Sequence, residues 1–404
     1  MDRSEKNFIW DNLLSMSAYW ISSGAIISSL SKYWGFSLAT SNLIVGLTST
    51  LPIVQLIGGL AFGRAEHPFR FLRLSNGLWR LFLPLVFFSV LLPYWAGAPL
   101  MIISYILSIG IFQFAAPSQT SWMISCVEGR SANFYSMREL TFMAAYSVLF
   151  CLVSFVIDFS ERSHQQRSGF LLIGSLLTIL LIWSLIVLFR LPPPPSVQTS
   201  KSPMLASLLK PFRSPVFRKA ILTNTSWTFS SMFIGGFAAV YQVQVLEMTF
   251  FQIMIWTTVA NIARTLCIPL MAQLAKHIGW RRVSAFCLSL MAGCAGLWFF
   301  ATRDNAVYLY PFLSVLLAIP FAGLGVGFLK MQIATTPEDT RSVYISVLAL
   351  LNGAAALFGS LICSTFIQVL EAYSLSLLRW IFCIGLVGTL ISALLILRVP
   401  FDDH

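Results

Sequence analysis

The stretch WTTVANIARTLCIPLMAQLA, from Trp256 to Ala275, is mostly apolar and contains a single charge, Arg264. A helix of this length extends for about 30 Å, which matches the hydrocarbon core of a bilayer. The stretch is therefore predicted to span a membrane. An arginine near the midplane costs about 2.5 to more than 10 kcal/mol if it meets lipid. We therefore expect Arg264 to face protein or water.

The composition of the whole chain extends this interpretation. Of its 404 residues, 57% are hydrophobic and 10% are charged, and the mean hydropathy is +0.80. Because a soluble domain carries about 25% charged residues, the composition excludes a soluble protein. Apolar runs predict an all-α membrane protein with twelve transmembrane helices, at 9–31, 40–62, 74–95, 98–126, 139–158, 169–189, 220–246, 251–275, 283–301, 307–329, 343–370 and 377–397.

The basic residues predict the orientation of these spans. Nineteen of the 26 Lys and Arg residues fall in segments that would be cytoplasmic if the N-terminus is inside, and five fall outside. Arg80 and Arg264 lie within spans. The positive-inside rule then predicts a multi-pass protein of the plasma (inner) membrane with both termini in the cytoplasm. The net charge of +11 largely reflects this bias, which indicates anionic inner-leaflet lipids as partners and not nucleic acid.

A long connection divides the twelve spans into two groups of six. Residues 190–219 include the run LPPPP and carry six basic residues and no acid. The predicted domains are an N-terminal bundle at 1–189, this cytoplasmic linker, and a C-terminal bundle at 220–404. The later part of the linker mixes basic and apolar residues, which is typical of a segment on the inner membrane surface. Its prolines equally fit a loosely attached linker.

The two halves contain a weak internal repeat. VEGRSANFYS at 127–136 and PEDTRSVYIS at 337–346 follow the fourth and tenth spans. An even number of spans separates them, so they share one orientation, as in two parallel repeats of six helices. We expect Arg130 and Arg341 to occupy equivalent places in the halves and to form interhelical hydrogen bonds that affect gating.

A second motif carries a family resemblance. The sequence AQLAKHIGWRR at 272–282 resembles the major facilitator superfamily motif Gly-x-Leu-Ala-Asp-Arg-x-Gly-Arg-Arg, and the twelve spans and basic middle loop extend the resemblance over the whole chain. Lys276 and His277 replace the Asp and Arg of the motif, and Phe62 stands at the Asp position in the first half. The chain therefore lacks the aspartates that form the usual interhelical ion pairs of this motif. The matching residues are Leu274, Ala275, Gly279, Arg281 and Arg282, and in the first half Gly58, Leu60 and Ala61.

The resemblance implies a secondary transporter in which two six-helix bundles expose a central site to each side in turn, lined by helices 1, 4, 7 and 10. Aromatic faces and amides in that site suit an amphipathic organic ligand. The alternative is that many of these residues only pack helices or face lipid. The candidates for substrate binding are Tyr19, Trp20, Gln113, Trp227 and Phe321 in these helices, with Asn261 and Arg264 in helix 8.

Arg264 is the sharpest of these candidates. Its guanidinium suits a carboxylate or phosphate, because its planar donors can bind two oxygens at once. Asn261, one turn earlier, could share its hydrogen bonds. We hypothesise that Arg264 faces the cavity and contacts an acidic or strongly polar group of the substrate. The alternative is a structural arginine paired with Glu139 or Asp158.

Coupling to an ion is poorly indicated. All fifteen acids lie at span ends or in loops, and Asp11 and Glu139 come closest to the expected cavity. Either could carry a proton, or could instead pair with Arg80 or Arg138. Asp11, Arg80, Arg130, Glu139 and Arg341 are therefore the candidates for coupling or gating.

The four histidines lie outside the spans and the cysteines lack metal-ligand spacing, so we expect no metal, no cofactor and no enzymatic activity. The sequence predicts a monomeric transporter of a small organic solute, amphipathic or anionic, with export favoured. The alternatives are a nutrient uptake permease and a non-transporting membrane sensor or scaffold that retains the fold.

Overall fold

The computed structural model describes residues 3–127, 132–193, 210–337 and 341–401. Over these ranges the chain is helical and contains no β-strand. The α-helices are α1 (Arg3–Ile21), α2 (Gly24–Tyr33), α3 (Leu38–Thr50), α4 (Gln55–Gly63), α5 (Pro68–Phe88), α6 (Tyr94–Val127), α7 (Ala132–Arg162), α8 (Gln166–Phe189), α9 (Lys210–Arg213), α10 (Pro215–Ser231), α11 (Phe237–Val240), α12 (Phe250–Ile278), α13 (Trp280–Trp298), α14 (Ala306–Thr335), α15 (Arg341–Tyr373) and α16 (Trp380–Ile396).

Each of the twelve predicted spans coincides with helical structure, which confirms the all-α membrane class. Within the described ranges, nine helical segments are long and apolar enough to cross a membrane, and the bent pair α1–α2 makes a tenth. The predicted spans 220–246 and 283–301 are helical but fall outside this set. Two π-helical stretches, Met232–Gly236 and Tyr241–Val245, interrupt the first of these. The second is α13, which is short and begins with basic residues.

The first span is broken near its middle. Helix α1 ends at Ile21 and α2 begins at Gly24, whose φ of +56° is a conformation that residues with side chains rarely adopt. The two helices differ in direction by 45°. The Ser22 hydroxyl donates a hydrogen bond of 2.8 Å to the Ala18 carbonyl at the end of α1. Tyr19 and Trp20 therefore lie on the last turn before the bend.

The described chain groups into two compact units. Unit 1 takes in the described residues of Met1–Phe36 and Val54–Ser202, and unit 2 takes in those of Ser37–Ile53 and Pro203–His404. The second predicted span, 40–62, is thus divided between the two units. Helix α3 packs against α15 within unit 2, and α4 belongs to unit 1. A 3₁₀ turn at Leu51–Val54, which contains a proline, separates α3 from α4. The domain boundaries at 189 and 220 stay a prediction.

In unit 1, α1 packs against α7 and α8, and α5 packs against α6 and α8. Helices α4 and α6 approach closely at Gly58, where an added Cβ atom would overlap the carbonyl group of Phe114. A glycine is required here because no larger residue fits between the backbones. This close packing brings the start of α4 beside the middle of α6.

In unit 2, α13 packs between α14 and α16, and α12 packs mainly against α14. Small residues again allow close approach: Gly327 faces Ser284, and Gly388 faces Ser230. Helix α3 is held to α15 by the Asn42 amide, which donates a hydrogen bond of 3.1 Å to the Ser364 hydroxyl. Ser364 in turn donates to the Ala39 carbonyl at 3.0 Å.

The two ends of the predicted linker are helical or packed. Leu191 is buried, and the Trp122 indole donates a hydrogen bond of 3.0 Å to the Pro192 carbonyl. At the other end the short helix α9 leads directly into α10. Residues 194–209 lie outside the described ranges, so the expected inner-surface segment stays a prediction there.

Candidate functional site

Three polar side chains form a hydrogen-bonded chain inside unit 1. Gln55, at the start of α4, donates from Nε2 to Oε1 of Gln113 on α6 at 2.7 Å. Gln113 then donates from its own Nε2 to the Tyr19 hydroxyl of α1 at 3.3 Å. Gln113 and Tyr19 are both buried. Two of the predicted cavity residues are thus brought together, and both ends of the buried Gln113 amide are satisfied.

This chain keeps hydrogen-bonding capacity for a ligand. The Tyr19 hydroxyl accepts from Gln113 and retains its own hydrogen as a donor, while the Gln55 carbonyl oxygen retains its capacity as an acceptor. Aromatic surface lies beside them. The Phe112 ring centroid is 4.3 Å from that of Tyr19, and Trp20, which is 48% exposed, meets Tyr19 edge-to-face at 5.8 Å. These side chains place a flat apolar surface beside polar groups, and their role in binding a substrate stays a prediction.

Arg264 occupies the centre of α12 in unit 2. It lies 14 residues from each end of Phe250–Ile278, which is about 21 Å of helix. In the apolar 18-residue stretch by which this helix qualifies as a membrane span, only 11% of the residues are buried inside the structure. A Cβ atom added at Gly325 would lie 3.8 Å from a terminal nitrogen of Arg264, so the side chain lies over this small residue of α14. No carboxylate in the described part of unit 2 neutralises it.

The structure contains no hydrogen bond between the side chains of Asn261 and Arg264, and the idea that the two share hydrogen bonds to a ligand stays a prediction. The Asn261 backbone carbonyl accepts a hydrogen bond of 2.9 Å from Thr265, and its side chain is half-buried. Trp227 packs against the hydrophobic core of unit 2, which favours the packing interpretation for that residue. Phe321 is 44% exposed on α14.

A buried ion pair joins three helices of unit 1. Nη2 of Arg80 on α5 lies 2.8 Å from Oδ1 of Asp11 on α1, and Ser184 of α8 donates to the same oxygen at 2.9 Å. Arg80 is 1% exposed and Asp11 is 2% exposed. Beside this pair, Arg138 donates to Oδ1 of Asn12 at 2.6 Å. Pairing with Arg80, one of the two roles considered for Asp11, is thus the arrangement in the structure, and a coupling role stays a prediction.

The side chains of the other three coupling candidates, Arg130, Glu139 and Arg341, lie outside the described part of the structure. Arg130 lies in 128–131, outside the described residues. Glu139 belongs to α7 and Arg341 begins α15, and the description covers only their backbones. Among described residues, no group of three or more His, Cys, Asp or Glu side chains could hold a metal ion.

Sequence reasoning missed Gln55 and Ser184. Gln55 is an amide in the apolar run LPIVQLIGG, and an isolated amide in a predicted span could have been noted. Ser184 gave no such signal, because hydroxyl groups are frequent in apolar spans and satisfy themselves on the helix backbone.

We expect Gln55→Leu to lower the free energy of unfolding by about 1–3 kcal/mol, because it leaves the buried Gln113 oxygen without a donor. Thermal unfolding in detergent measures this loss. The matched control is Gln165→Leu, which replaces an exposed glutamine. Equal unfolding temperatures for Gln55→Leu and the control would contradict the hydrogen-bonded chain.

No family profile matches the chain, and no curated protein matches it. Solved structures do match. A D-xylose–proton symporter aligns with a TM-score of 0.72 at 14% identity, covering 99% of this chain and 97% of that one. The nucleoside transporter NupG, as a mutant, aligns at 0.70 and 13% identity, covering 98% and 99%.

A third structure is a POT family transporter in complex with 5-aminolevulinic acid. It aligns with a TM-score of 0.71 at 12% identity, covering 98% of this chain and 96% of that one. All three are transporters by description, and each is matched over nearly its whole length. The chain therefore has the fold of the major facilitator superfamily transporters.

Proposed function

We propose that this chain is a secondary transporter that moves a small organic solute across the membrane by alternating access. The supporting observation is the fold, which it shares over 98–99% of its length with three structures described as transporters. Their descriptions name D-xylose, nucleosides and 5-aminolevulinic acid, so the shared fold does not indicate a single substrate class.

The side chains support an amphipathic or anionic substrate. In unit 1, Tyr19, Trp20 and Phe112 offer aromatic faces beside the free donor of Tyr19 and the free acceptor of Gln55. In unit 2, Arg264 carries a charge that no described carboxylate of that unit neutralises. Because a guanidinium meeting lipid at that depth is costly, water or a substrate group facing Arg264 best accounts for its place.

Transport itself is tested with purified protein in liposomes. We expect time-dependent uptake of a labelled solute from a panel of sugars, nucleosides, short peptides and aromatic carboxylates, driven by an opposing gradient of the same solute. Specific binding without flux for any panel member would favour the sensor or scaffold alternative. Vesicles in which the protein has one orientation distinguish export, the direction that we propose, from uptake.

Two further measurements test the other proposals. The mass of the protein solubilised in detergent tests whether it is a monomer. Labelling from each side of the membrane tests whether both termini are cytoplasmic.

Arg264→Gln is expected to weaken binding of anionic solutes about tenfold or more, the loss of one charge-assisted hydrogen bond. Arg264→Lys keeps the charge and should retain part of that affinity, and neutral solutes should bind both variants as they bind the wild type. Binding titrations on purified protein measure these affinities. The control is Arg303→Gln, which removes an exposed arginine paired with Glu247. Uniform loss for all solutes, or none, would contradict the assignment.

A further inference from the structure

An apolar groove runs along the surface of unit 2 between α15 and α16, with the end of α10 as its floor. Its volume is about 620 Å³. Phe366 and Leu370 form one wall, Val387 and Ile391 form the other, and Phe229 lies at the bottom. The Ser230 hydroxyl on the floor already donates to the Ser226 carbonyl at 2.8 Å, so it offers little to a polar ligand. The groove is therefore suited to a hydrocarbon chain.

The length of the groove matches one leaflet of a bilayer. Its lining residues on α16 run from Trp380 to Ile391, which is about 16 Å of helix, or half of a hydrocarbon core of about 30 Å. Both walls belong to candidate membrane spans, Tyr344–Tyr373 and Leu375–Ile396. The groove thus begins where these spans are joined and ends near the middle of the membrane.

A cation lies next in the chain to Trp380, the lining residue at one end of the groove. Arg379 precedes Trp380, and its guanidinium carbon lies 5.1 Å from the centroid of the Phe299 ring. That ring in turn meets Trp380 edge-to-face at 4.8 Å. The Arg379 Nε is buried without a hydrogen-bond partner, and no carboxylate of a described residue lies within ion-pair distance of the side chain. Trp380, 52% exposed, is typical of the aromatic belt at a membrane interface.

We propose that this groove is a binding site for one phospholipid, with an acyl chain along α16 and the headgroup phosphate on Arg379. The guanidinium supplies planar donors that suit phosphate oxygens. A headgroup that carries no cation of its own, such as phosphatidylglycerol, leaves this attraction uncompensated and is therefore preferred over phosphatidylcholine. The acyl chain fills the space that the protein leaves between two helices, so the lipid links α15 to α16.

The acyl chain is located by photocrosslinking. Full-length protein is placed in nanodiscs with phosphatidylglycerol that carries a diazirine in the middle of one acyl chain, and crosslinked peptides are identified by mass spectrometry. We expect crosslinks to concentrate on the two groove walls. Val387→Trp should abolish them by filling the groove, whereas Leu394→Trp, an exposed position on α16 outside the lining, should leave them unchanged. If Val387→Trp unfolds, Ile391→Trp replaces it.

The headgroup is tested by native mass spectrometry. Retention of phosphatidylglycerol should fall about tenfold in Arg379→Gln, as expected for one charge-assisted hydrogen bond, and should be largely kept in Arg379→Lys. Crosslinks spread evenly over the exposed surface of unit 2, or equal retention of both lipids by wild type and Arg379→Gln, would mean bulk lipid only and overturn the site. Displacement of the lipid by a membrane-dissolved apolar solute would assign the groove to that solute instead.

Discussion

Asp11→Ala is expected to lower the free energy of unfolding by about 3–5 kcal/mol, because Arg80 would remain as a buried charge without its partner. Among the described residues, Asp11 is the carboxylate that pairs with Arg80. Arg80 is 1% exposed, and its Nε and Nη1 atoms have no hydrogen-bond partner among the described residues. Thermal and denaturant unfolding in detergent, followed by tryptophan fluorescence, measures the loss. Trp79, whose ring lies 5.3 Å from the Arg80 guanidinium carbon, is one of the twelve tryptophans that contribute to this signal.

The double variant Asp11→Leu with Arg80→Met separates charge from packing. A buried ion pair replaced by apolar residues of similar volume is often close to neutral, so the double variant should be clearly more stable than Asp11→Ala alone. The surface pair Lys32–Glu161, with both side chains nearly half exposed, is the control. Breaking it with Lys32→Met should cost no more than about 1 kcal/mol. Equal losses in the single and double variants would show that lost packing, and not the unpaired charge, destabilises the protein.

A disulfide between α3 and α15 is expected to stop transport almost completely, provided that the proposed function holds. The Asn42 amide contacts the buried Cys363 thiol and the Ser364 hydroxyl. Asn42→Cys, in a protein whose other six cysteines are replaced, therefore places two thiols together. Alternating access in this fold requires helices to separate on one side of the membrane while they close on the other. Although α3 packs against α15 in unit 2, it belongs to the predicted N-terminal bundle at 1–189, so we expect it to leave α15 during that cycle. Flux in proteoliposomes should disappear on oxidation and return on reduction.

A disulfide within unit 2 provides the control. A Cβ atom added at Gly323 of α14 would overlap the Cys287 sulfur of α13 unless that side chain shifts. Gly323→Cys, with Cys287 as the remaining native thiol, therefore links helices that we expect to move together. Its oxidation should leave flux largely intact. Undiminished flux in the oxidised Asn42→Cys protein would mean that α3 and α15 stay together throughout the cycle.

The membrane spans could be predicted because length and apolarity are properties of the sequence that the bilayer thickness makes decisive. The π-helical stretches near Met232 and Tyr241 could not, since the hydrogen-bond register of a helix depends on what packs around it. The assignment of α3 to the same unit as α15 likewise depends on contacts between residues more than 300 positions apart.

The residues of the candidate site could likewise be predicted only in part. Arg264 could be identified because a single charge in an apolar run is costly wherever the run lies in a membrane. Asp11 and Arg80 could be named as possible partners from their depth, but the Ser184 hydroxyl that completes the pair carried no signal. Gln113 could be named from its position in the fourth predicted span, whereas its hydrogen bond with Gln55 depends on the close approach of α4 and α6 at Gly58.

The Asp11–Arg80 pair also bears on how the protein is made. The two residues are separated by 69 positions, so a ribosome adding 5–20 residues per second produces Arg80 roughly 3–14 s after Asp11. During that interval α1 carries, near the end of its predicted span, a carboxylate that no helix yet neutralises and that must therefore stay in contact with water. Helix α1 is therefore expected to wait at the insertion machinery until α5 emerges. The two would enter the bilayer together, which makes the third span a requirement for stable insertion of the first.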